Sequence, residues 1–183
     1  MTDLSKARVL ILATDGFEES ELFDPRQALL DAGAQVTLAS IGAGPIQGVK
    51  GDREPGREIT PDLTLGQVDP DDYDLLLLPG GVANPDKMRM EGDAVEIVAD
   101  FMEDDKIVAA ICHAPWLLVE ADVVDGRRVT GWPSIRTDLE NAGADVEDAP
   151  VVVDGNLITS RKPDDIPQFN AAILKALTEE VVG

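Results

Sequence analysis

The chain has 183 residues, of which 44% are hydrophobic but only 4% aromatic, so we expect a core built mainly from Val, Leu, Ile and Ala. Its 36 acidic and 15 basic residues give a net charge of -21 at pH 7, which argues against binding to a phosphate backbone. No apolar run approaches the roughly 20 residues of a membrane helix. The single cysteine excludes an intramolecular disulfide, which fits a reducing cytoplasm.

Apolar segments of strand length alternate with helical segments along the chain. In chain order, the patterns predict a strand at 7–14, a helix at 25–33, strands at 34–40 and 73–81, a helix at 90–105, a strand at 106–112, a helix at 114–124, strands at 127–133 and 149–160, and a helix at 163–177. The alternation predicts one α/β domain over residues 1–183, with a mostly parallel sheet that is covered on both faces.

Local signals refine three of these elements. Asp24 is predicted to cap the first helix, with Pro25 at its first position and Gly33 just past its end. The Gly- and Pro-rich segment 41–69 is expected to hold short strands or a hairpin beside the sheet. The first apolar run follows no basic start and is interpreted as a core strand, not as a signal peptide.

The only cysteine, Cys112, and the only histidine, His113, are adjacent where a buried strand meets a helix. Ala110 and Ala114 flank the cysteine at two positions on either side, which is the pattern of a nucleophile elbow. The partial positive charge of a helix N-terminus favours the reactive thiolate. We predict that Cys112 is a reactive thiol with His113 as its base or electrostatic partner. The alternatives are a buried structural cysteine and a histidine without a catalytic role.

Other motifs carry weaker signals. Gly80 and Gly81 end a strand, and their loop suits either an oxyanion hole or a tight turn. One of the acids in DGFEESEL is expected to tune the thiol, but sequence spacing does not choose among them. One cysteine and one histidine are too few for a metal site, and no GxGxxG or Walker motif is present. The sequence therefore predicts no metal and no cofactor.

Four segments together resemble the ThiJ/PfpI superfamily, and most closely its PfpI-type intracellular proteases and deglycases. They are AAICHAPWLL, LLLLPGG, FEESEL and VVVDGNLITSRKPDD, and the resemblance extends over residues 9–177. It implies a flavodoxin-like three-layer α/β sandwich related to class I glutamine amidotransferase domains. It also implies a homodimer, or a homohexamer assembled as a trimer of dimers.

The resemblance also implies roles for individual positions. Cys112 falls on the family nucleophile, and His113 on the adjacent histidine of the protease-like branch. Glu21 matches a buried, protonated glutamate that hydrogen-bonds the cysteine, and Glu18 matches a second, less essential acid. The backbone N–H groups of Gly81 and His113 would form the oxyanion site.

Two positions depart from the family pattern. Ala114 stands where the family usually has glycine, and its methyl group is expected to narrow the elbow or shift the oxyanion donor. Asp86 stands where PfpI-type proteases place a glutamate that completes a triad across a subunit boundary. Because aspartate is one methylene shorter, its reach to a neighbour's His113 is reduced, and this disfavours peptidase activity.

The leading hypothesis is therefore a cytoplasmic cysteine hydrolase in stress protection. Its substrates would be glyoxal, methylglyoxal or their adducts on proteins and nucleotides, with the peptide bond as a second substrate class. The alternative is a redox sensor without enzymatic activity, in which Cys112 is oxidised to a sulfinate that Glu21 stabilises. A third reading is a scaffold protein whose elbow is silent.

The acidic residues are spread along the chain with few lysines, which is typical of proteins exposed to high salt and indicates a halophilic source. We expect the melting temperature to rise with KCl concentration, because salt screens the repulsion between like charges. Thermal melts over a KCl series measure this. Maximum stability in low salt would contradict the hypothesis.

Overall fold

Twelve strands and six α-helices lie along residues 3–182, the part of the protein that its computed structural model describes. The central strands form where branched and apolar residues run without interruption, as suits a sheet buried on both faces. The strands are β1 (Arg8–Leu12), β2 (Phe17–Glu18), β3 (Gln35–Ser40), β4 (Ile46–Lys50), β5 (Glu54–Ile59), β6 (Leu63–Thr64), β7 (Leu75–Leu78), β8 (Ile107–Ile111), β9 (Arg128–Val129), β10 (Asp145–Val146), β11 (Val151–Asp154) and β12 (Leu157–Ser160). The helices are α1 (Glu19–Asp31), α2 (Ala83–Met88), α3 (Gly92–Glu103), α4 (Pro115–Glu120), α5 (Arg136–Asn141) and α6 (Ile166–Val182).

Seven strands form the main sheet in the order β11-β12-β8-β7-β1-β3-β6. Neighbouring strands are parallel except for β11 and β12, which form an antiparallel hairpin at one edge. The chain runs from β1 to β3 on one side and later returns to β7 on the other, so the topological switch lies between β1 and β7. Functional groups in such sheets gather at the carboxyl ends of strands near this switch.

Helices cover both faces of the main sheet, which confirms the predicted flavodoxin-like sandwich. Successive strand residues point to opposite faces, so each strand contributes to two cores. Val9 and Ile11 of β1 pack in the core that contains α1 and α6. Leu10 and Leu12 of the same strand pack in the core that contains α3, α4 and α5. Packing in the two cores fixes the position of every strand end, and therefore of the loop that follows it.

The first helix begins earlier than the sequence pattern predicts. It starts at Glu19, so Pro25 lies inside it and Asp24 is not its cap. The prediction was wrong because the Glu- and Leu-rich segment before Pro25 is itself a good helix former. Proline has no N–H, so the carbonyl of Glu21 lacks its usual helical donor. The prediction that Gly33 follows the helix end is confirmed, with a φ of +93°.

Shorter elements account for the remaining differences. Segment 41–69 holds the predicted hairpin, in which β4 and β5 pair antiparallel and β2 completes a small sheet. Helices α2 and α5 were not predicted, because six residues are too few for an apolar repeat to stand out. Strand β9 has only two residues because Gly131 and Pro133 follow it. Within residues 3–182, no helix has both the length and the apolar character to cross a membrane.

Candidate active site

Cys112 occupies a sharp turn between β8 and α4, as the elbow pattern predicts. Its φ is +66°, which non-glycine residues adopt only when the surrounding structure holds them there. Its N–H donates to the carbonyl of Ser160 at 3.0 Å, and its own carbonyl accepts from the N–H of Trp132 at 2.8 Å. The side chain is 5% exposed and lines a cavity of about 180 Å³. The thiol is therefore held in a crevice and not sealed in the core.

The loop after β7 brings backbone donors to the thiol. The N–H groups of Gly81 and His113 lie close enough to the sulfur to lower the pKa of the thiol. Gly81 has a φ of +81°, and a β-carbon at Gly80 would collide with both Glu21 and Cys112, so both positions require glycine. The predicted oxyanion donors thus lie beside the sulfur. Their role in holding an oxyanion stays a prediction.

Asn84, which no sequence motif marks, fixes this loop. Its buried side-chain amide donates to the carbonyls of Pro79 and Gly80 at 3.0 and 3.1 Å. Its Oδ1 accepts from the N–H of Thr14 at 2.8 Å. One amide therefore joins the end of β1 to the loop that follows β7.

Glu21 is the acid of the FEESEL segment that reaches the thiol. It is fully buried, and its Oε2 accepts from the N–H of Gly80 at 2.9 Å. Oε1 is buried without a hydrogen-bond partner, and the carboxyl lies close enough to the Cys112 thiol for each group to shift the pKa of the other. Burial, reinforced by the charge of Glu18, raises the pKa of Glu21 to about 8. The carboxyl therefore keeps its proton at neutral pH.

The Cys112 thiol is also protonated in the resting site. Burial raises its pKa, and a charge on Glu21 would raise it further, while the N–H groups of Gly81 and His113 lower it. The expectation that the helix N-terminus makes the free thiol acidic is therefore wrong here, because desolvation outweighs the backbone donors. A proton on Glu21 removes the like charge, so ionising the thiol costs less while the carboxyl is neutral.

His113 contacts the thiol directly. Its Nδ1 lies 3.2 Å from the sulfur, and its Nε2 lies 3.3 Å from Oγ of Ser134. Burial lowers the pKa of His113, so the ring is neutral at pH 7. If Nε2–H donates to Ser134, then Nδ1 is the free acceptor for the thiol proton. The ring packs between Trp116 and Trp132, with centroids 5.2 and 5.6 Å away.

Two further acids lie at the mouth of the cavity. Glu18, which was predicted, is partly exposed, and its Oε2 accepts from the N–H of Gly51 at 2.9 Å. Asp52, which was not predicted, lies at the tip of the β4–β5 hairpin and lines the same cavity. A hairpin was expected in segment 41–69, but nothing in the sequence indicated that its tip docks on the loop after β7.

Asp86 is exposed on α2 and is not among the residues that line the cavity. Its predicted role concerns a neighbouring subunit and stays a prediction. Ala114 has helical backbone angles and is fully buried in the core with α4, so its methyl group does not enter the cavity. Among residues 3–182, no group of three or more His, Cys, Asp or Glu side chains is arranged to hold a metal ion.

The buried carboxyl makes stability depend on pH. Glu21 titrates near its usual range in the unfolded chain but at about 8 in the folded one, so folding loses stability as pH rises between those values. We expect Glu21→Gln to be a few kcal/mol more stable than the wild type at pH 8 and no more stable at pH 4. Urea unfolding at both pH values measures the difference. An equal difference at both would contradict the buried, protonated state.

Comparisons of sequence and of structure both find known proteins that are similar to this chain. General stress protein 18 of Bacillus subtilis (strain 168) is 44% identical over 171 residues, covering 93% of this chain and 97% of that protein. A protein of Pyrococcus abyssi named deglycase is 43% identical over 170 residues, covering 93% and 99%. The crystal structure of Drosophila melanogaster DJ-1beta matches with a TM-score of 0.86 and 32% identity, covering 94% and 90%.

The family comparison agrees with these individual matches. The sequence model of the DJ-1/PfpI family matches residues 7–176, which include every element from β1 to most of α6. The resemblance to the ThiJ/PfpI superfamily is thereby confirmed, and the chain belongs to the DJ-1/PfpI family.

Proposed function

We propose that the protein is a cysteine-dependent hydrolase in stress protection that acts on glyoxal and methylglyoxal or on their adducts. One observation carries the proposal. The sulfur of Cys112 lies 3.2 Å from Nδ1 of His113 in an open cavity, with two backbone N–H groups and a buried carboxyl around it. A structural cysteine needs none of these partners. The names of the relatives, deglycase and general stress protein, support the same role.

The first step is attack on the electrophilic carbon. Nδ1 of His113 takes the thiol proton, and the sulfur of Cys112 adds to the aldehyde carbon of methylglyoxal. The N–H groups of Gly81 and His113 bind the oxygen as it gains charge, and the imidazolium then returns the proton to that oxygen. The product of this step is a hemithioacetal. With an amine adduct, the sulfur displaces the amine, which leaves with the proton from His113, and the same hemithioacetal forms.

The second step regenerates the enzyme. A base in the cavity moves the aldehyde-derived proton to the adjacent carbonyl carbon through an enediol, which leaves a lactoyl thioester on Cys112. Water then hydrolyses the thioester to lactate and the free thiol. The net reaction adds one water to methylglyoxal, so it needs no external oxidant or reductant. Glu21 and His113 are the groups that can exchange protons with this intermediate.

The size of the cavity favours a small carbonyl over a peptide. Its volume is about 180 Å³, against roughly 300–1,000 Å³ for typical ligand pockets. A three-carbon dicarbonyl fits this space, whereas a peptide chain would need a longer groove. The peptide bond therefore remains the second substrate class, and a redox sensor remains the non-enzymatic alternative.

Turnover by the wild type and by Cys112→Ser tests the proposal. We expect the wild type to convert methylglyoxal to lactate and to leave a fluorogenic peptide uncut, because the cavity is small. Cys112→Ser should lose at least 100-fold in kcat/KM, because serine is a far weaker nucleophile at neutral pH. Lactate release and peptide fluorescence are the measurements.

Three other results would each redirect the interpretation. Peptide cleavage without methylglyoxal turnover would support the peptidase. A thiol that turns over nothing but oxidises readily to a sulfinate would support the sensor. Equal methylglyoxal turnover by the wild type and Cys112→Ser would overturn the proposal.

Ser134 is predicted to act by positioning His113. Ser134→Ala removes the acceptor of Nε2–H, so a larger fraction of the rings should carry the proton on Nδ1 and fail as the base. We expect kcat to fall by about threefold to tenfold with little change in KM. The acidic limb of the kcat profile should move to lower pH, since the imidazolium also loses an acceptor.

The control for this prediction is Thr137→Ala, an exposed position on the next helix that makes no hydrogen bond to the ring of His113. Ser134→Thr should recover most of the activity, because it restores the hydroxyl. If Ser134→Ala and Thr137→Ala have the same pH profile as the wild type, Ser134 has no role in orienting the ring.

A further inference from the structure

Acidic groups dominate the cavity around Cys112. Glu18, Glu21 and Asp52 all line it, together with His113 and apolar or glycine positions. No Lys or Arg among residues 3–182 lines this cavity. A substrate that reaches the thiol must therefore pass carboxyl groups at the mouth and meets no fixed positive charge.

Backbone hydrogen bonds hold the two acids of the mouth in place. Oε2 of Glu18 accepts from the N–H of Gly51 at 2.9 Å, and Oδ1 of Asp52 accepts from the N–H of Val82 at 2.9 Å. Asp52 has a φ of +59° and an exposed side chain. Each carboxyl thus has one oxygen bound to the protein. The other oxygen of Asp52 has no partner among the described residues.

Lys50 and Lys162 near the mouth are paired with other acids, whereas Arg53, next to Asp52, is exposed and does not line the cavity. Nζ of Lys50, two positions before Asp52, lies 3.9 Å from a carboxyl oxygen of Glu19. Nζ of Lys162, next to the cavity residue Pro163, lies 3.8 Å from Asp164. Neither ammonium group neutralises the acids that line the cavity.

The charge of Asp52 acts on groups at the bottom of the cavity as well as at its mouth. Burial is the main cause of the raised pKa of Glu18 and of Glu21, and the charge of Asp52 raises both further; it also opposes the fall in the pKa of His113 that burial causes. A positive group in the cavity would be attracted by the same field. Glu21 keeps its proton and adds no charge, and its Oε1, buried without a hydrogen-bond partner, is an uncharged polar atom at the inner end.

Building on the proposed function, we infer that the site selects carbonyl adducts carried on a cationic group, above all a guanidinium, and discriminates against adducts carried on phosphate-bearing nucleotides. A glycated guanidinium keeps its charge and its planar set of N–H donors, which bind carboxylates in a fork. A nucleotide brings two or more negative charges to a mouth that already repels them. Glyoxal and methylglyoxal are neutral, so the site should favour them less than cationic adducts and more than nucleotide adducts.

A pair of charged thiol reagents tests the field at the site without relying on catalysis. The reagents are two methanethiosulfonates, one ending in trimethylammonium and one in sulfonate, which transfer an alkylthio group to a thiol with loss of methanesulfinate. Cys112 is the only cysteine, so its modification is read directly by mass spectrometry. After correction for the same ratio with 2-mercaptoethanol, we expect the cation to react about tenfold faster than the anion.

A matched pair of variants separates the mouth from the overall charge of -21. Asp52→Asn keeps the amide acceptor for Val82 and suits the positive φ, but removes one charge at the mouth. Asp93→Asn removes the same charge from an exposed position on α3 that lies outside this cavity. We expect Asp52→Asn to lower the cation-to-anion ratio by about threefold, and Asp93→Asn to leave it unchanged. An equal effect of both variants, or no preference in the wild type, would overturn the inference.

A second assay compares methylglyoxal adducts of N-acetylarginine amide, N-acetylcysteine amide and GMP, which are cationic, neutral and anionic. The inference predicts that kcat/KM falls in this order, and that Asp52→Asn narrows the gap between the first two. Turnover of the GMP adduct as fast as the arginine adduct would overturn the inference but leave the proposed function intact. Loss of all turnover with the reagent preference retained would overturn the proposed function but support cation selection by the site.

Discussion

The burial of one carboxyl beside one thiol is the constraint around which this molecule is arranged. Removing a charged carboxylate from water costs several kcal/mol, so Glu21 is accommodated with its proton on. The proton on Glu21 also lowers the electrostatic cost of ionising Cys112, although burial still disfavours the thiolate. The thiolate therefore forms only when a substrate and His113 take part, and the thiol is protonated in the resting site.

Rigid strands supply the accuracy that this arrangement needs. The carboxyl ends of β1, β7 and β8 are neighbours in the sheet and deliver Glu21, the glycine loop and Cys112 to one point. Links across these segments then fix their distances. Asn84 ties the β1 end to the glycine loop, and Ser160 and the turn at Trp132 hold the elbow from the other side. No single segment makes the site, because each one supplies a different part of it.

The sequence predicted the parts of this molecule that depend on local chemistry. Long apolar runs specified the sheet, and the elbow at Cys112 followed from a strand that meets a helix with small residues around it. Choosing Glu21 over its acidic neighbours required the family resemblance. Asp52 and Ser134 were missed because each lies on a short turn, and its approach to the site is set by how distant segments dock. The helix N-terminus predicted a lowered pKa for the free thiol, whereas the pKa is raised, because a sequence does not show how strongly a side chain is desolvated.

The left-handed backbone at Cys112 narrows what evolution can place there. Residues branched at the β-carbon are strained at a φ of +66°, so threonine or valine would disturb the bend itself. Cysteine and serine are unbranched at that carbon, which makes them the two nucleophiles that strain this turn least. Mutational drift at this codon is therefore filtered twice, by chain geometry before any reaction takes place and by reactivity afterwards.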